Sequence, residues 1–142
     1  MKTAQLTKEH LPSILQLYKD DFADGWNKAM LESAFDTNRF IALGAIEGDN
    51  LIGLITCSIA VDDADIEGIV VASEFRRKGY AQILLTELET MLLQKGIKKI
   101  FLEVREGNLP AISLYEKNGY LKINIRKKYY SDGENAVIMA KR

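Results

Sequence analysis

Apolar residues recur at helical spacing in four stretches of the chain, and the longest stretch is the clearest. Between Tyr80 and Lys95 the apolar positions fall three or four residues apart, as on one face of an amphipathic helix. These positions are Ala81, Leu84, Leu85, Leu88, Met91 and Leu92. Gly96 follows and predicts the end of this helix. The same spacing predicts shorter helices over Lys8–Phe22, Asn27–Phe35 and Leu109–Asn118, and Thr7 is predicted to cap the first of them.

Shorter apolar runs, bounded by turn residues, predict seven strands. They are Thr3–Leu6, Phe40–Glu47, Leu51–Val61, Asp65–Val71, Lys99–Val104, Tyr120–Tyr130 and Ala136–Lys141. The order of elements is therefore β α α β β β α β α β β. This order is typical of an α/β (α+β) fold, with a mixed, mostly antiparallel central sheet flanked by four helices. The strand that ends at Val71, the long helix and the strand from Lys99 form one βαβ unit.

Length, composition and charge indicate one globular domain spanning residues 1–142. The chain is 47% hydrophobic and 27% charged, which is an ordinary globular balance. Its net charge of −1 argues against bulk binding to nucleic acid or to an anionic membrane. No apolar stretch is long enough to cross a bilayer, and the first residues do not resemble a signal peptide. We therefore expect a cytoplasmic protein.

The single cysteine, Cys57, lies inside an apolar strand pattern. One thiol can form neither an internal disulfide nor a Cys-x-x-Cys metal site, so we expect no metal and a reducing compartment. A small buried hydrophobic role is the simplest prediction for Cys57. The single histidine, His10, is predicted to lie at the surface near the start of the first helix.

A basic cluster, Arg76, Arg77 and Lys78, occupies the turn between the strand ending at Val71 and the long helix. A helix N-terminus offers unsatisfied N–H groups and about half a positive charge. Gly79 lets the backbone approach a ligand without interference from a Cβ. Since α/β sheets bind ligands beyond the carboxyl ends of their strands, this position favours a phosphate site over a solvated basic turn. Neither a Walker loop nor a GxGxxG pattern is present.

The segment Arg76-x-x-Gly79-x-Ala81 resembles the Q/R-x-x-G-x-G/A motif of the GNAT superfamily of N-acetyltransferases. Further segments resemble the second half of that family, at the family's spacing. These are Phe101–Arg105, Asn108, and Ala111–Tyr120. Within the family, the chain is most similar to the RimI-type ribosomal-protein alanine N-acetyltransferases. Its ending, Lys128–Ala136, resembles that of the related N-terminal acetyltransferases.

The resemblance is strong over Ile66–Met139, whereas the earlier part of the chain agrees in the order of elements. Three departures stand out. Ser73 replaces the usual Pro and Ala81 replaces a Gly, and both substitutes are small. The stretch Ala23–Trp26 replaces a Pro-Trp pattern in a region that shapes substrate choice, so it bears on the acceptor more than on the cofactor.

The resemblance implies that acetyl-CoA is the co-substrate and that loop amides hold its pyrophosphate. It assigns cofactor binding to Ile69, Val70, Val71, Arg76, Arg77, Lys78, Gly79, Tyr80, Ala81, Gln82 and Asn108. The backbone of Ile69–Val71 would bind the pantetheine arm as an added strand does. Asn108 is also predicted to cap the helix that follows it.

Two residues are candidates for the chemistry of acetyl transfer. Glu103 lies in a strand whose faces we expect to be apolar, so a carboxylate is out of place unless the strand end reaches solvent. The resemblance implies that Glu103 is the general base, acting through water. It also implies that Tyr115 is the general acid that protonates the thiolate, although a helical Tyr is more often a core aromatic with a hydrated hydroxyl. An α-amino group, with a pKa of about 8, needs a weaker base than a lysine at about 10.4.

The acceptor groove is predicted to lie between Asp20–Lys28 and Lys128–Asn135. Trp26, Tyr129 and Tyr130 are the predicted substrate-binding residues. The acidic residues Asp20, Asp21 and Asp24 either favour a basic residue in the acceptor or form a solvated loop. The resemblance implies that the acceptor is a protein N-terminus, the alanine of a small-subunit ribosomal protein.

Three other functions remain open at this point. A GNAT enzyme can acetylate a lysine side chain or a small-molecule amine instead. The chain can also be a non-catalytic acetyl-CoA-binding module, which the presence of both Glu103 and Tyr115 disfavours. A nucleic-acid binder using Arg76–Lys78 and Arg126–Lys128 is disfavoured by the net charge of −1.

Overall fold

A single seven-stranded sheet, in the order β1-β2-β3-β4-β5-β7-β6, organises the computed structural model. Residues 1–21 and 26–142 are described, with the backbone alone for Asp20 and Asp21. The strands are β1 (Lys2–Gln5), β2 (Phe40–Glu47), β3 (Asn50–Ala60), β4 (Asp63–Val71), β5 (Lys99–Arg105), β6 (Leu121–Arg126) and β7 (Ala136–Lys141). The helices are α1 (Leu11–Asp21), α2 (Lys28–Phe35), α3 (Tyr80–Gln94) and α4 (Leu109–Lys117). Among the described residues, β4 and β5 are the one parallel pair, so the predicted mixed, mostly antiparallel sheet is confirmed.

The structure corrects the predicted strand Tyr120–Tyr130. Strand β6 ends at Arg126, and Lys128 has a φ of 53°, which an extended chain does not adopt. Tyr129 and Tyr130 therefore lie in a loop rather than in a strand. This difference matters because both residues are predicted to contact the acceptor.

The predicted helix from Lys8 begins as a separate 3-10 turn, Lys8–His10, and the α-helix starts at Leu11. Thr7 caps the turn as predicted, since its Oγ1 accepts the Glu9 N–H at 3.3 Å. His10 completes the cap by accepting the Thr7 N–H on Nδ1 at 3.0 Å. The sequence thus predicts the capping residue, but it does not predict that the first turn is a 3-10 helix.

Helix α3 covers one face of the sheet with the apolar stripe that the sequence predicts. Leu84, Leu85, Leu88 and Leu92 are buried, and each contributes about 1.5–3 kcal/mol of hydrophobic stabilisation. Gly53 on β3 lies beneath this stripe, and a Cβ there would come within 3.3 Å of Leu84 Cδ1. Glycine therefore lets the helix sit close to the sheet. None of the helices within residues 1–21 and 26–142 combines the length and the apolar character needed to cross a membrane.

Helix α1 covers the opposite face of the sheet. The Tyr18 hydroxyl lies 3.8 Å from where a Cβ of Gly68 would be, and Gly68 pairs with Thr56 on β3. Thr56 and Gly53 are three residues apart on one strand, so they point to opposite faces. Cys57 is fully buried as predicted, and burial raises the pKa of its thiol to about 12.

The parallel ladder between β4 and β5 is short. It runs over four residue pairs, from Asp63 with Lys99 to Ile66 with Leu102. Beyond Ile66, β4 continues to pair with β3 as far as Val71. In the described part of the chain, the backbone of β4 after Ile66 has no ladder partner on the β5 side. We call this gap between the two strands the opening.

Val61, at the tip of the β3–β4 hairpin, has a left-handed φ of 57° and is 93% exposed. A β-branched residue in that conformation is strained by about 1–3 kcal/mol. We expect Val61→Asn to raise the free energy of unfolding by about 1 kcal/mol, since Asn tolerates positive φ, as measured by urea denaturation. Val61→Thr keeps the branch and should leave stability unchanged. An Asn variant no more stable than the Thr variant would contradict the strain.

Candidate active site

The loop between β4 and α3 presents a helix N-terminus without a side-chain cap. Gly79 is the N-cap residue, with a φ of 84°, and no acidic side chain lies in the first turn of α3. A Cβ built on Gly79 would meet nothing within 4 Å, so the space in front of the amides is open. Arg77 also has a positive φ, of 63°. Uncapped amides at the positive end of a 15-residue helix fit an anion of the size of a diphosphate.

Three exposed cations surround these amides, as the sequence predicts. Arg76 is fixed to the end of β4, because its Nε donates to the Val71 carbonyl at 3.0 Å. The ammonium group of Lys78 lies 5.5 Å from the ring centroid of Phe75. The residues present therefore fit the pyrophosphate of coenzyme A in both charge and backbone geometry.

Two other predicted cofactor residues have side chains that contact protein groups. The Tyr80 hydroxyl donates to Glu47 Oε2 at 3.4 Å. Gln82 Nε2 donates to Asn118 Oδ1 at 2.8 Å, and Asn118 Nδ2 donates back to Gln82 Oε1 at 2.9 Å. This reciprocal amide pair ties the first turn of α3 to the end of α4. Gln82 is thus placed to hold the two helices together, while its backbone faces the loop.

The opening provides a place for an extended ligand beside β4. The predicted pantetheine residues, Ile69, Val70 and Val71, belong to the part of β4 that pairs with β3 alone. Asn108 lies after β5 and caps α4 as predicted, because its Oδ1 accepts the Ala111 N–H at 3.3 Å. The cofactor contact predicted for Asn108 remains a prediction.

Glu103 is exposed near the end of β5 and lies on the same sheet face as Phe101. The register places Phe101 beside Asp65, and Asp65 beside Ser58, so the face continues across three strands. Desolvation raises the pKa of Asp65, and the nearby charge of Glu103 raises it further. Glu103 thus reaches solvent at the end of its strand, which agrees with one of the two interpretations of the sequence. It does so beside the opening and next to a second carboxylate.

Glu67 is a site residue that sequence reasoning missed. The ladder pairs Thr56 with Gly68 and Cys57 with Ile66, so Glu67 is the extra residue of a β-bulge. The bulge brings Glu67 to Ser58, whose hydroxyl forms a hydrogen bond with it. Gly68 was the signal that could have revealed it, because a glycine inside a strand pattern often marks a bulge.

The environment of Glu67 raises the pKa of its carboxyl group to about 7. Desolvation is the main cause, and the charge of Asp65 adds to it, whereas the Ser58 hydrogen bond acts in the opposite direction. Glu67 as a whole is exposed at the surface. The desolvation therefore acts on its carboxyl group, which lies close to the sheet. A carboxyl group of this kind changes its charge near neutral pH.

Trp26, a predicted acceptor residue, is held between α1 and the sheet. Its ring packs edge-on against Phe40 at 5.4 Å between centroids. It also forms a hydrogen bond with the hydroxyl of Tyr18, which is buried and whose pKa is raised by that burial. The side chains of Asp20 and Asp21, and the stretch from residue 22 to residue 25 with Asp24, lie outside the described residues.

Tyr115 is 5% exposed and its ring lies 5.6 Å from the ring of Tyr120, edge to face. Burial raises its pKa, so the phenol keeps its proton at neutral pH. Behind it, the Tyr120 hydroxyl donates to Glu89 Oε2 at 2.9 Å, and Lys141 pairs with the same oxygen at 3.0 Å. The structure therefore places Tyr115 in the core, apart from the exposed face that carries Glu103.

The loop between β6 and β7 brings the two predicted tyrosines to the predicted base. Tyr129 and Tyr130 pack against each other at 5.2 Å between centroids. A hydrogen bond with Glu103 raises the pKa of the Tyr129 hydroxyl. Within residues 1–21 and 26–142, no group of three or more His, Cys, Asp or Glu side chains is arranged to hold a metal ion.

Known proteins with the same architecture are acetyltransferases. The family model described as Acetyltransferase (GNAT) family matches residues 11–120. A ribosomal protein bS18-alanine N-acetyltransferase from Haemophilus ducreyi is 42% identical over 106 residues, covering 72% of this chain and 73% of that protein. One of the same name from Salmonella typhimurium is 31% identical over 141 residues, covering 95% of this chain and 93% of that protein.

A solved structure agrees with these sequence matches. The crystal structure of the ribosomal-protein-S18-alanine N-acetyltransferase from Escherichia coli superposes with a TM-score of 0.91 at 28% identity, covering 98% of this chain and 91% of that one. Both the sequence and the arrangement of the seven strands and four helices thus match one family. The chain belongs to the GNAT family and is an acetyl-CoA-dependent N-acetyltransferase.

Proposed function

We propose that this enzyme transfers the acetyl group of acetyl-CoA to the N-terminal α-amine of a protein, the alanine of a ribosomal protein. The observation that carries the proposal is the exposed face beside the opening. There, Glu67 and Glu103 supply two carboxylates, and Tyr129 and Tyr130 supply an aromatic wall. The relatives from Haemophilus ducreyi and Salmonella typhimurium are named for a ribosomal protein alanine, which supports the same acceptor here.

Acetyl-CoA supplies the acetyl group as a thioester, and the chain must position it. The uncapped amides from Gly79 onward and the cations at Arg76, Arg77 and Lys78 suit the pyrophosphate. The edge of β4 at Ile69–Val71, which has no ladder partner on the β5 side, suits the extended arm. Holding both substrates in one site removes the need for a covalent enzyme intermediate.

Glu103 removes the proton of the amine through a water molecule. An α-amino group with a pKa of about 8 is partly neutral at physiological pH, so an exposed carboxylate suffices for this task. Glu67, on the other side of the opening, attracts the incoming ammonium form when it is ionised. Desolvation, with the neighbouring charge of Asp65, raises its pKa to about 7, which is in the pH range where α-amines bind and react.

Tyr115 donates a proton to the leaving thiolate of coenzyme A. Burial raises its pKa, so the phenol carries a proton at neutral pH, as any tyrosine does, but it is a weaker acid than an exposed tyrosine. A thiolate needs a donor less than an alkoxide would, since thiols have a pKa of about 8.5. The contribution of Tyr115 should therefore be moderate.

A peptide panel with acetyl-CoA tests the acceptor, with mass spectrometry to locate the acetyl group and thiol release to measure turnover. We expect acetylation of the α-amine of peptides that begin with alanine. A peptide of the same sequence with a blocked N-terminus and an internal lysine is the matched control, and it should not react. Reaction at lysines alone, or with free small amines alone, would replace the proposed acceptor. Binding of acetyl-CoA without acceptor-dependent thiol release would indicate a non-catalytic module.

The pH profile tests the two carboxylates. For an N-terminal peptide we expect kcat/KM to rise as pH increases through about 7, because Glu67 gains its charge there. Glu67→Gln should remove the part of the rise that is centred at about pH 7 and keep the part at about pH 8, where the α-amine itself loses its proton. Glu103→Gln should keep the rise but lower kcat by about a hundredfold or more, as for loss of a general base. A pH profile of Glu67→Gln with the same midpoint as that of the wild type would rule out this role for Glu67.

The stability of the chain checks the Glu67 titration without any activity. Its carboxyl group holds a proton more tightly in the folded chain, with a pKa of about 7, than at its ordinary value of 4.5. The stability that the protonated form contributes is full below about 4.5 and is lost as pH rises through about 7. Glu67→Gln should flatten this part of the curve of unfolding free energy against pH.

Tyr115→Phe tests the general acid. We expect turnover to fall roughly ten- to a hundredfold, with the Kd for acetyl-CoA unchanged in calorimetry, because the ring stays and only the proton is lost. Tyr120→Phe is the matched control, since it removes the hydrogen bond to Glu89 and should reduce stability while retaining turnover. Equal turnover in wild type and Tyr115→Phe would exclude Tyr115 from the mechanism.

A further inference from the structure

The loop that carries Tyr129 and Tyr130 is fastened to the end of β5 rather than left free. Arg105, the last residue of β5, donates from Nη1 to Asp132 Oδ2 and to Glu134 Oε1, each at 2.8 Å. Glu134 Oε2 accepts the Gly107 N–H at 2.8 Å. A Cβ on Gly107 would lie 2.6 Å from that oxygen, so glycine makes this contact possible. We call this set of contacts the clasp.

Arg105 is the centre of the clasp. Its guanidinium carbon lies 4.1 Å from the ring centroid of Tyr130, so it stacks on the aromatic wall while it binds both carboxylates. Only 23% of its side chain is exposed, whereas that of Asp132 is 61% exposed and that of Glu134 is 32% exposed. The pair with Glu134 is therefore better shielded from water and carries more of the attachment.

Arg105 and Glu103 lie two residues apart on one face of β5, where both are paired with β7. Their Cα atoms are therefore separated by roughly 7 Å on a rigid strand. Strand β5 thus holds Glu103, the predicted base, at a fixed distance from Arg105, which anchors the aromatic wall of Tyr129 and Tyr130. Tyr129, next to the stacked Tyr130, reaches back to Glu103 and forms a hydrogen bond with it.

We propose that Arg105 is a positioning residue for the acceptor: by clasping the β6–β7 loop it holds Tyr129 against Glu103 and Tyr130 as one wall of the peptide slot. This inference rests on the proposed N-terminal acetylation. Arg105 acts through the loop, without contact to the acetyl group.

Loss of the clasp should move the loop without unfolding it. Other contacts hold the base of the loop, since Asn135 Oδ1 accepts the Lys128 N–H at 2.9 Å and the Glu106 N–H donates to the Asn135 carbonyl at 3.0 Å. The ladder between β5 and β7 extends over six residue pairs and does not depend on the Arg105 side chain. The effect should therefore appear in peptide binding and not in binding of acetyl-CoA.

Steady-state kinetics with the full chain and an alanine-initiated peptide provide the first test. We expect Arg105→Gln to raise the peptide KM about tenfold, with the Kd for acetyl-CoA within about twofold of wild type. Lys122→Gln, which removes one positive charge from β6 outside the clasp, should change neither value. In a Tyr129→Phe background, Arg105→Gln should add less than about twofold, because the two residues act through one contact.

Titration of Tyr129 provides a readout that needs no activity. In protein labelled with 13Cζ-tyrosine, the Tyr129 resonance is assigned by its absence in Tyr129→Phe. Arg105→Lys keeps the positive charge but cannot bridge two carboxylates or stack as a planar group. We expect the pKa of Tyr129 to fall toward its ordinary value in Arg105→Lys, since the hydroxyl leaves Glu103. Loss of a nearby positive charge alone would raise the pKa of Tyr129. The direction of the pKa change therefore distinguishes loss of the contact with Glu103 from loss of charge.

Either of two results would overturn the proposal: a peptide KM in Arg105→Gln equal to that of wild type, or a Tyr129 titration unchanged in Arg105→Lys. If Arg105→Gln does not fold, Arg105→Lys and Asp132→Asn take its place in the kinetics, with a smaller rise in peptide KM expected. Failure of the wild type to acetylate any N-terminal peptide would instead remove the proposed function. The Tyr129 titration would still decide whether the clasp exists.

Discussion

Four residue pairs hold β4 to β5, and the two strands part after Ile66 and Leu102. Backbone groups that leave a ladder must find other partners, so a parted pair of strands inside a sheet is stable only if something else satisfies them. Antiparallel ladders on the outer sides, β3 with β4 and β5 with β7, continue through the gap and hold each strand in the sheet. The result is a gap along the β5 side of β4, where we propose that the extended thioester arm of acetyl-CoA lies.

Helices α3 and α4 add charged and aromatic groups to the opening. At one end, α3 points its uncapped N-terminus and the cations of its loop toward an anion. At the same end, beyond the last residue of β5, α4 begins at Asn108 and carries Tyr115 into the core. The reciprocal amide pair between Gln82 and Asn118 joins the two helices near these positions. A shift of α3 on binding a ligand would therefore also move α4, which carries Tyr115, the predicted general acid.

The exposed face of the opening is acidic and aromatic. The bulge at Glu67 and the strand end at Glu103 place carboxylates on both sides of the opening. The charge of Glu103 helps to raise the pKa of Asp65, and the charge of Asp65 helps to raise that of Glu67. Such a face favours a cationic or proton-bearing acceptor. Strand β5 links this chemistry to the acceptor wall, since Glu103 and Arg105 share its face and Arg105 holds the loop.

Local patterns in the sequence were enough to predict most of the architecture. Helical spacing predicted the buried stripe of α3, and the order of elements predicted the mixed sheet, because both depend on the alternation of apolar and polar residues along a short segment. The cap residues Thr7 and Asn108 are confirmed for the same reason. The basic turn before α3 was also visible, since its charge and its glycine are adjacent in the chain.

Contacts between segments that are far apart in the chain could not be predicted from such local patterns. The bulge that aims Glu67 depends on the register of β3 against β4, and the raised pKa of Glu67 depends on neighbours from both strands. Strand β6 was predicted too long because the polar and aromatic residues after Arg126 suit a strand, whereas Lys128 adopts a left-handed φ and the loop that follows binds Arg105 through Asp132 and Glu134. The sequence by itself determined which segments are helices and strands and where an anion could bind. Only the tertiary structure decided which carboxylates face the opening and what holds the acceptor wall, because those depend on distances between residues far apart in the chain.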